Sequence, residues 1–208
     1  MKEDYAGKRS TIEKRLSEFK RLYLKGSEED IFAELVFCIL TPQSRAKLCW
    51  DAVVRLRRNG LLLKGSAARV ERALSGVRFK KKKSGYIVRA RKLFVDNAKV
   101  RVRPLLEAQG GVYERRHWLV ENVCGLGYKE ASHFLRNVGF GERIAILDRH
   151  ILKNLKEARV MKDVPESISK ARYFEIEKKM AEFARRIKIP LAHLDLLFWS
   201  KETGEVFK

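Results

Sequence analysis

Residues 123–131 read Val123-Cys124-Gly125-Leu126-Gly127-Tyr128-Lys129-Glu130-Ala131, and Asp148 follows nineteen positions after Lys129. Two glycines one residue apart mark a tight turn, because glycine takes a positive φ without a Cβ penalty. A helix that begins after Gly127 exposes unpaired backbone N–H groups, and such groups suit a phosphate. Lys129 falls at the start of that helix, where an amine would stand beside a gripped DNA backbone. Asp148 supplies a carboxylate partner for that amine. Read alone, the segment is equally a surface turn between two helices that carries a lysine.

The flanks of the turn are helical. Residues 112–122 precede it, and Ala131, Phe134, Leu135 and Val138 form an apolar stripe behind it, closed by Gly139. Residues 112–138 therefore supply a helix–hairpin–helix, a unit that holds phosphates without reading sequence. Ile144–Leu147 is a short apolar run, after which Asp148 is placed to cap a further helix.

The same periodicity extends to both ends. Ile12, Leu16, Phe19 and Leu22 form one face, with Ser10 or Thr11 as a cap and Gly26 as a stop. Ser27 followed by Glu28, Glu29 and Asp30 opens a helix that is apolar on most sides through Leu40 and reads as buried, Cys38 included. Thr41-Pro42 breaks it. Ala46, Leu48, Cys49, Val53 and Leu56 mark the next helix, which stops near Gly60. Shorter helices fit 66–75, 83–97 and 103–109, a long basic one fits 167–187, and a last one starts at Pro190 and ends at Gly204. No strand pattern, β-hairpin or repeat is found, so the expected fold class is all-α. Two interleaved helical lobes are expected. A central one covers about 30–155 with the hairpin at 112–138, and a terminal one joins about 1–29 to 156–208.

Lys and Arg number 46 against 26 Asp and Glu, a net charge of +20 over 208 residues. That excess implies a polyanionic partner. No apolar run reaches membrane-spanning length and MKEDYAGKRS lacks an apolar signal core, so the expected partner is nucleic acid and the expected compartment cytoplasmic. Thermophile chains are also rich in Lys and Glu and poor in Gln, and only Gln43 and Gln109 occur here. Three cysteines without a CxxC pair exclude an iron–sulfur or zinc cluster of four thiolates. The run Lys80–Lys83, next to Phe79 and Tyr86, suits a backbone-binding surface or a plain solvated face.

At this point the residues resemble a known family. GLGYK at 125–129, the apolar run and Asp148-Arg149-His150 resemble the helix–hairpin–helix–Gly/Pro–Asp superfamily of DNA glycosylases. ILTPQSRA at 39–46 is similar to the buried helix and loop that such enzymes set against an opened base pair. GYKEASHFLRNVGF at 127–140, AILDRHIL at 145–152 and LDLLFWSKETGEVFK at 194–208 resemble the type-2 8-oxoguanine DNA glycosylase/lyases. The resemblance covers most of the chain and implies a monomer acting on duplex DNA that contains 8-oxoguanine.

It implies roles too. Lys129 would attack C1′, expel the damaged base and form a Schiff base, with strand cleavage by β-elimination. Asp148 would be the essential carboxylate. Gly125 and Gly127 would form the phosphate-binding hairpin. The backbone carbonyls of Glu121, Val123 and Leu126 would hold a monovalent cation, K+ or Na+, and no cofactor would be required. A flipped base leaves a gap in the duplex. Gln43, which follows the Pro break, is the first residue expected to fill it. Phe79 is the second, with core packing as its competing role. Trp199 would stack on the flipped purine, or pack in the core. The carboxylate of Lys208 would accept the N7–H that distinguishes 8-oxoguanine from guanine. His133 and His150 read as structural. An oxidised-pyrimidine glycosylase/lyase shares Lys129 and Asp148, but its common members carry the missing four-cysteine loop. Adenine-specific relatives lack the lysine. A non-catalytic DNA-binding module would explain the charge and the hairpin but not the pairing of Lys129 with Asp148.

Overall fold

The structure is a computed structural model that describes residues 1–97 and 99–208. Its helices are α1 (Lys2–Lys25), α2 (Glu28–Leu40), α3 (Ala46–Arg58), α4 (Ala67–Ala73), α5 (Lys80–Phe94), α6 (Val102–Glu107), α7 (Val112–Asn122), α8 (Tyr128–Asn137), α9 (Arg149–Glu157), α10 (Lys170–Ile187) and α11 (Leu191–Thr203). Local capping chemistry sets several ends. Ser27 and Asp30 bond each other's backbone N–H groups and open α2. Asp148 caps α9, Pro190 opens α11 and Gly204 ends it in a left-handed conformation.

Three expectations need correction. The first helix starts at Lys2, so Ser10 and Thr11 lie inside it and cap nothing. The fifth helix runs over 80–94, because the chain turns at Asn97 (φ +47) into a short antiparallel ladder, β1 (Val95–Asp96) against β2 (Lys99–Val100). Asparagine tolerates that left-handed turn, and four residues are too few to show an alternating pattern. The following helix starts at Val102 because Glu28 of α2 takes the N–H groups of Val102 and Arg103, at 2.5 and 3.0 Å. That cap comes from 74 residues away and leaves no local signal.

Two apolar cores form. One is centred on α2, buried from Ile31 to Leu40, and gathers residues from Ile31 to Ile144. The other joins Ile12 and Phe19 of α1 to Ala145, Leu147, α9, α10 and α11. Ala145, Leu147, Ile151, Leu152 and Leu155 pack with the terminal helices, so the second core takes over at 145. On α3 Leu48 turns outward and lies over Gly76. No helix among the described residues is long and apolar enough to cross a membrane.

Candidate active site

The hairpin between α7 and α8 is built from one left-handed glycine. Gly125 has φ +91, and a Cβ there would lie 2.4 Å from Cδ2 of Tyr86, so the Tyr86 ring of α5 packs directly against the loop. Gly127 does not share this role: its φ is −95 and its backbone is extended. Its N–H instead donates to Oε2 of Glu130 at 3.2 Å. Oε1 of the same carboxylate lies 2.8 Å from Nζ of Lys129, whose side chain is 27% exposed. One nearly buried glutamate thus caps the helix and holds the lysine, a function that a surface-looking Lys-Glu pair in the sequence did not reveal.

Asp148 is presented by an extended segment that leads into α9. Tyr173 and Glu177 of α10 hold that segment. Ala145 N–H donates to Glu177 at 2.7 Å, and the Tyr173 hydroxyl donates to the Ala145 carbonyl at 2.6 Å. Glu177 is itself fixed by a two-point pair with buried Arg116 of α7, at 2.6 and 2.9 Å. Asp148 Oδ1 accepts the Ile151 N–H at 2.8 Å, which leaves its second oxygen for other work. A second carboxylate stands nearby, which sequence reasoning missed. Asp195 of α11 is buried. Burial pushes its pKa up to about 6, Arg136 pulls it down and the Asp148 charge raises it further. Arg136 Nε lies 3.8 Å from Asp195 Oδ2, too far for a hydrogen bond.

Glu34 projects from the apolar face of central α2 and is only 2% exposed. Asn137 donates to it at 3.0 Å, and Lys208 forms an ion pair with it. Lys208 Nζ also lies 3.1 Å from the centre of the Trp50 ring. Phe207 bridges the half-buried Trp199 and Phe37, with ring centres 6.5 Å from each. His133 packs edge-on to Phe37, and burial, with Arg136 and Lys129 adding, holds its pKa well below the usual histidine range. The chain end therefore folds back into an aromatic pocket. It is the side chain of Lys208 that Glu34 ties down. Trp199 faces this pocket while Phe198 turns into the second core.

Gln43 and Phe79 stand on neighbouring loops. Both are exposed, Phe79 by 53%, and both are left-handed, with φ of +55 and +57. Core packing of Phe79 is thereby ruled out. Lys80, Lys81 and Lys82 are exposed as a basic face should be, whereas Lys83 is buried. A cavity of about 550 Å³ beside Tyr128, walled by Tyr113, Phe174, Lys170 and Lys178, has neither Lys129 nor Asp148 in its lining. In the hairpin, Val123 O takes the Leu126 N–H at 3.2 Å. No loop or cap amide among the described residues bonds the carbonyls of Glu121 or Leu126, so those oxygens keep lone pairs suited to a hard cation.

The family model described as 8-oxoguanine DNA glycosylase matches residues 12–189. The 8-oxoguanine DNA glycosylase/AP lyase of Fusobacterium nucleatum is 45% identical over 199 residues, 96% of this chain and 92% of that protein. The enzyme of the same name from Korarchaeum cryptofilum is 40% identical over 96% of this chain and 91% of its own. The crystal structure of the Thermotoga maritima 8-oxoguanine DNA glycosylase matches with a TM-score of 0.88 at 32% identity, over 100% of this chain and 96% of that one. The Methanocaldococcus jannaschii 8-oxoguanine glycosylase/lyase, solved with a 15mer DNA containing 8-oxoguanine, matches with a TM-score of 0.84 at 35% identity, over 96% and 93%. Fold and site define a DNA glycosylase of the helix–hairpin–helix class. The chain belongs to the 8-oxoguanine DNA glycosylase family.

Proposed function

We propose that this protein excises 8-oxoguanine from duplex DNA and cleaves the resulting abasic site. The observation that carries the reading is the family match across residues 12–189, coupled to a lysine on the first turn after the hairpin and a carboxylate presented at the start of α9. Lys129 releases Glu130, loses its proton and attacks C1′. The N-glycosidic bond breaks, and the base leaves with a proton at its ring nitrogen. Opening of the sugar ring gives a Schiff base. Loss of a C2′ proton then breaks the C3′–O bond and nicks the strand 3′ to the lesion. Asp148 stabilises the sugar cation as it forms. The damaged base must leave the stack, and Gln43 and Phe79 fill the space it vacates.

Trp199 offers a face for the flipped purine, and Lys208 lines its pocket. The Gly125–Gly127 hairpin grips a phosphate, and the net charge of +20 supports a polyanionic partner. The carbonyls of Glu121, Val123 and Leu126 would hold a K+ or Na+ that braces the hairpin. Two helical lobes, a monomer and a cytoplasmic, nucleoid-bound location complete the proposal. Borohydride trapping on DNA containing 8-oxoguanine tests it. Wild type is expected to be trapped and Lys129→Ala not; equal trapping of the two removes the lyase reading.

A further inference from the structure

Lys83 closes the Lys80–Lys83 run, yet it is only 3% exposed. Its ammonium donates to Leu40 O at 2.7 Å, Pro42 O at 2.7 Å and Ser44 Oγ at 3.1 Å. An ammonium has three donors, and all three are spent on neutral oxygens. Burial holds its pKa below the usual lysine range. Cys49 opposes that shift, the Lys129 and Arg78 charges add to it, and Glu130 opposes it. A buried cation that meets no carboxylate is a net cost to folding. Packing alone therefore does not explain a lysine here.

What this ammonium holds, from the first turn of α5, is the loop that follows α2. Leu40 ends α2, and Pro42 and Ser44 flank Gln43. Ser44 Oγ also accepts the Arg78 N–H at 3.0 Å, which staples the second loop to the first one residue before Phe79. Gln43 and Phe79 are the non-glycine residues of these loops that take a left-handed conformation. A non-glycine residue keeps that conformation only where its surroundings over-determine it. The three bonds of Lys83 and the bond from Arg78 provide that constraint.

We propose that Lys83 is a positioning residue for base opening: its ammonium clamps Pro42 and Ser44 so that Gln43 and Phe79 stay projected into the duplex. The inference rests on the reading of Gln43 and Phe79 as the gap-filling residues.

The test compares single-turnover excision of 8-oxoguanine from duplex DNA with cleavage of a preformed abasic site, which has no base to unstack. Lys83→Met is expected to slow excision by roughly 10- to 100-fold and abasic-site cleavage by less than about threefold. A 2-aminopurine placed beside the lesion should lose its fluorescence rise on binding. Adding Phe79→Ala to Lys83→Met should cost little more, since both remove one device. Ser44→Ala keeps the ammonium and should show the same split in milder form; it decides the matter if Lys83→Met does not fold. Equal loss on both substrates, wild-type excision by folded Lys83→Met, or losses that multiply with Phe79→Ala would each overturn the proposal. Normal excision by Gln43→Ala and Phe79→Ala would instead overturn the gap-filling reading itself, and the inference with it.

Discussion

The hairpin at Gly125 and the paired loops at Gln43 and Phe79 both turn the chain through the left-handed region, with opposite residue choices. At the hairpin the residue is glycine, and the Tyr86 ring occupies the space of its missing Cβ. At the loops the residues carry large side chains, each at a conformational cost of about 1–2 kcal/mol. The difference follows from what each must present. A hairpin that grips phosphate offers backbone N–H groups and gains from a bare, close-packed turn. Under the proposed reading, loops that fill a gap in a base stack must present side chains, and the strained loop at Gln43 is the one that Lys83 bonds at Leu40, Pro42 and Ser44.

Four experiments would break or sharpen that comparison. The largest effect belongs to Lys129→Gln, which the hairpin merely carries. Its trapping and nicking should fall roughly a thousandfold or more, while binding to lesion DNA stays within about tenfold. Retained nicking would mean that the hairpin presents the wrong lysine. Next comes Gly125→Ala, which drives a Cβ into Tyr86 at a positive φ. Thermal unfolding should show a loss of about 2–4 kcal/mol, partly recovered by Tyr86→Leu. An unchanged melting temperature would show that the turn is softer than its geometry implies.

The third experiment probes the buried carboxylate beside Asp148. Asp195 binds its proton with a pKa of about 6 in the folded protein against 3.8 in the unfolded chain. Its stabilising contribution is therefore complete below about pH 4 and is lost as pH rises through 6. Between pH 5 and 7 wild type should lose at most about 2 kcal/mol relative to Asp195→Asn. A constant difference between the two would place the Asp195 pKa outside that window. The smallest effect is Gln43→Gly, which relieves the left-handed strain. Its stability should rise by up to about 1 kcal/mol while excision slows. A stabilised variant that excises normally would show that the loop is strained for some other purpose.

Much of the site was legible because its signals are local. The apolar stripe from Ala131 to Val138, the caps at Ser27 and Asp148, and the ends of α11 at Pro190 and Gly204 depend on neighbours a few residues away. The turn itself was read half correctly: Gly125 is left-handed, whereas Gly127 is extended and has its N–H taken by Glu130. Other groups were missed because their meaning comes from distant acceptors. Glu34 stands in an apolar run, Asp195 in the LDLLFWS run and Lys83 among four lysines, and none of these local settings names a partner.

The sequence alone determined the all-α class, the hairpin with Lys129 and Asp148, and the family to which these belong. Helix periodicity, capping and a glycine turn are encoded by residues close in the chain, and that is why they can be read from it. Only the tertiary structure decided which charges go inside. Burial of Lys83, Glu34, Arg116 and Asp195 depends on partners brought from tens to more than a hundred residues away, such as Asn137 for Glu34 across 103 positions. An isolated charge in the interior would cost far more than the fold could support, so its position has meaning only once its partners are in place.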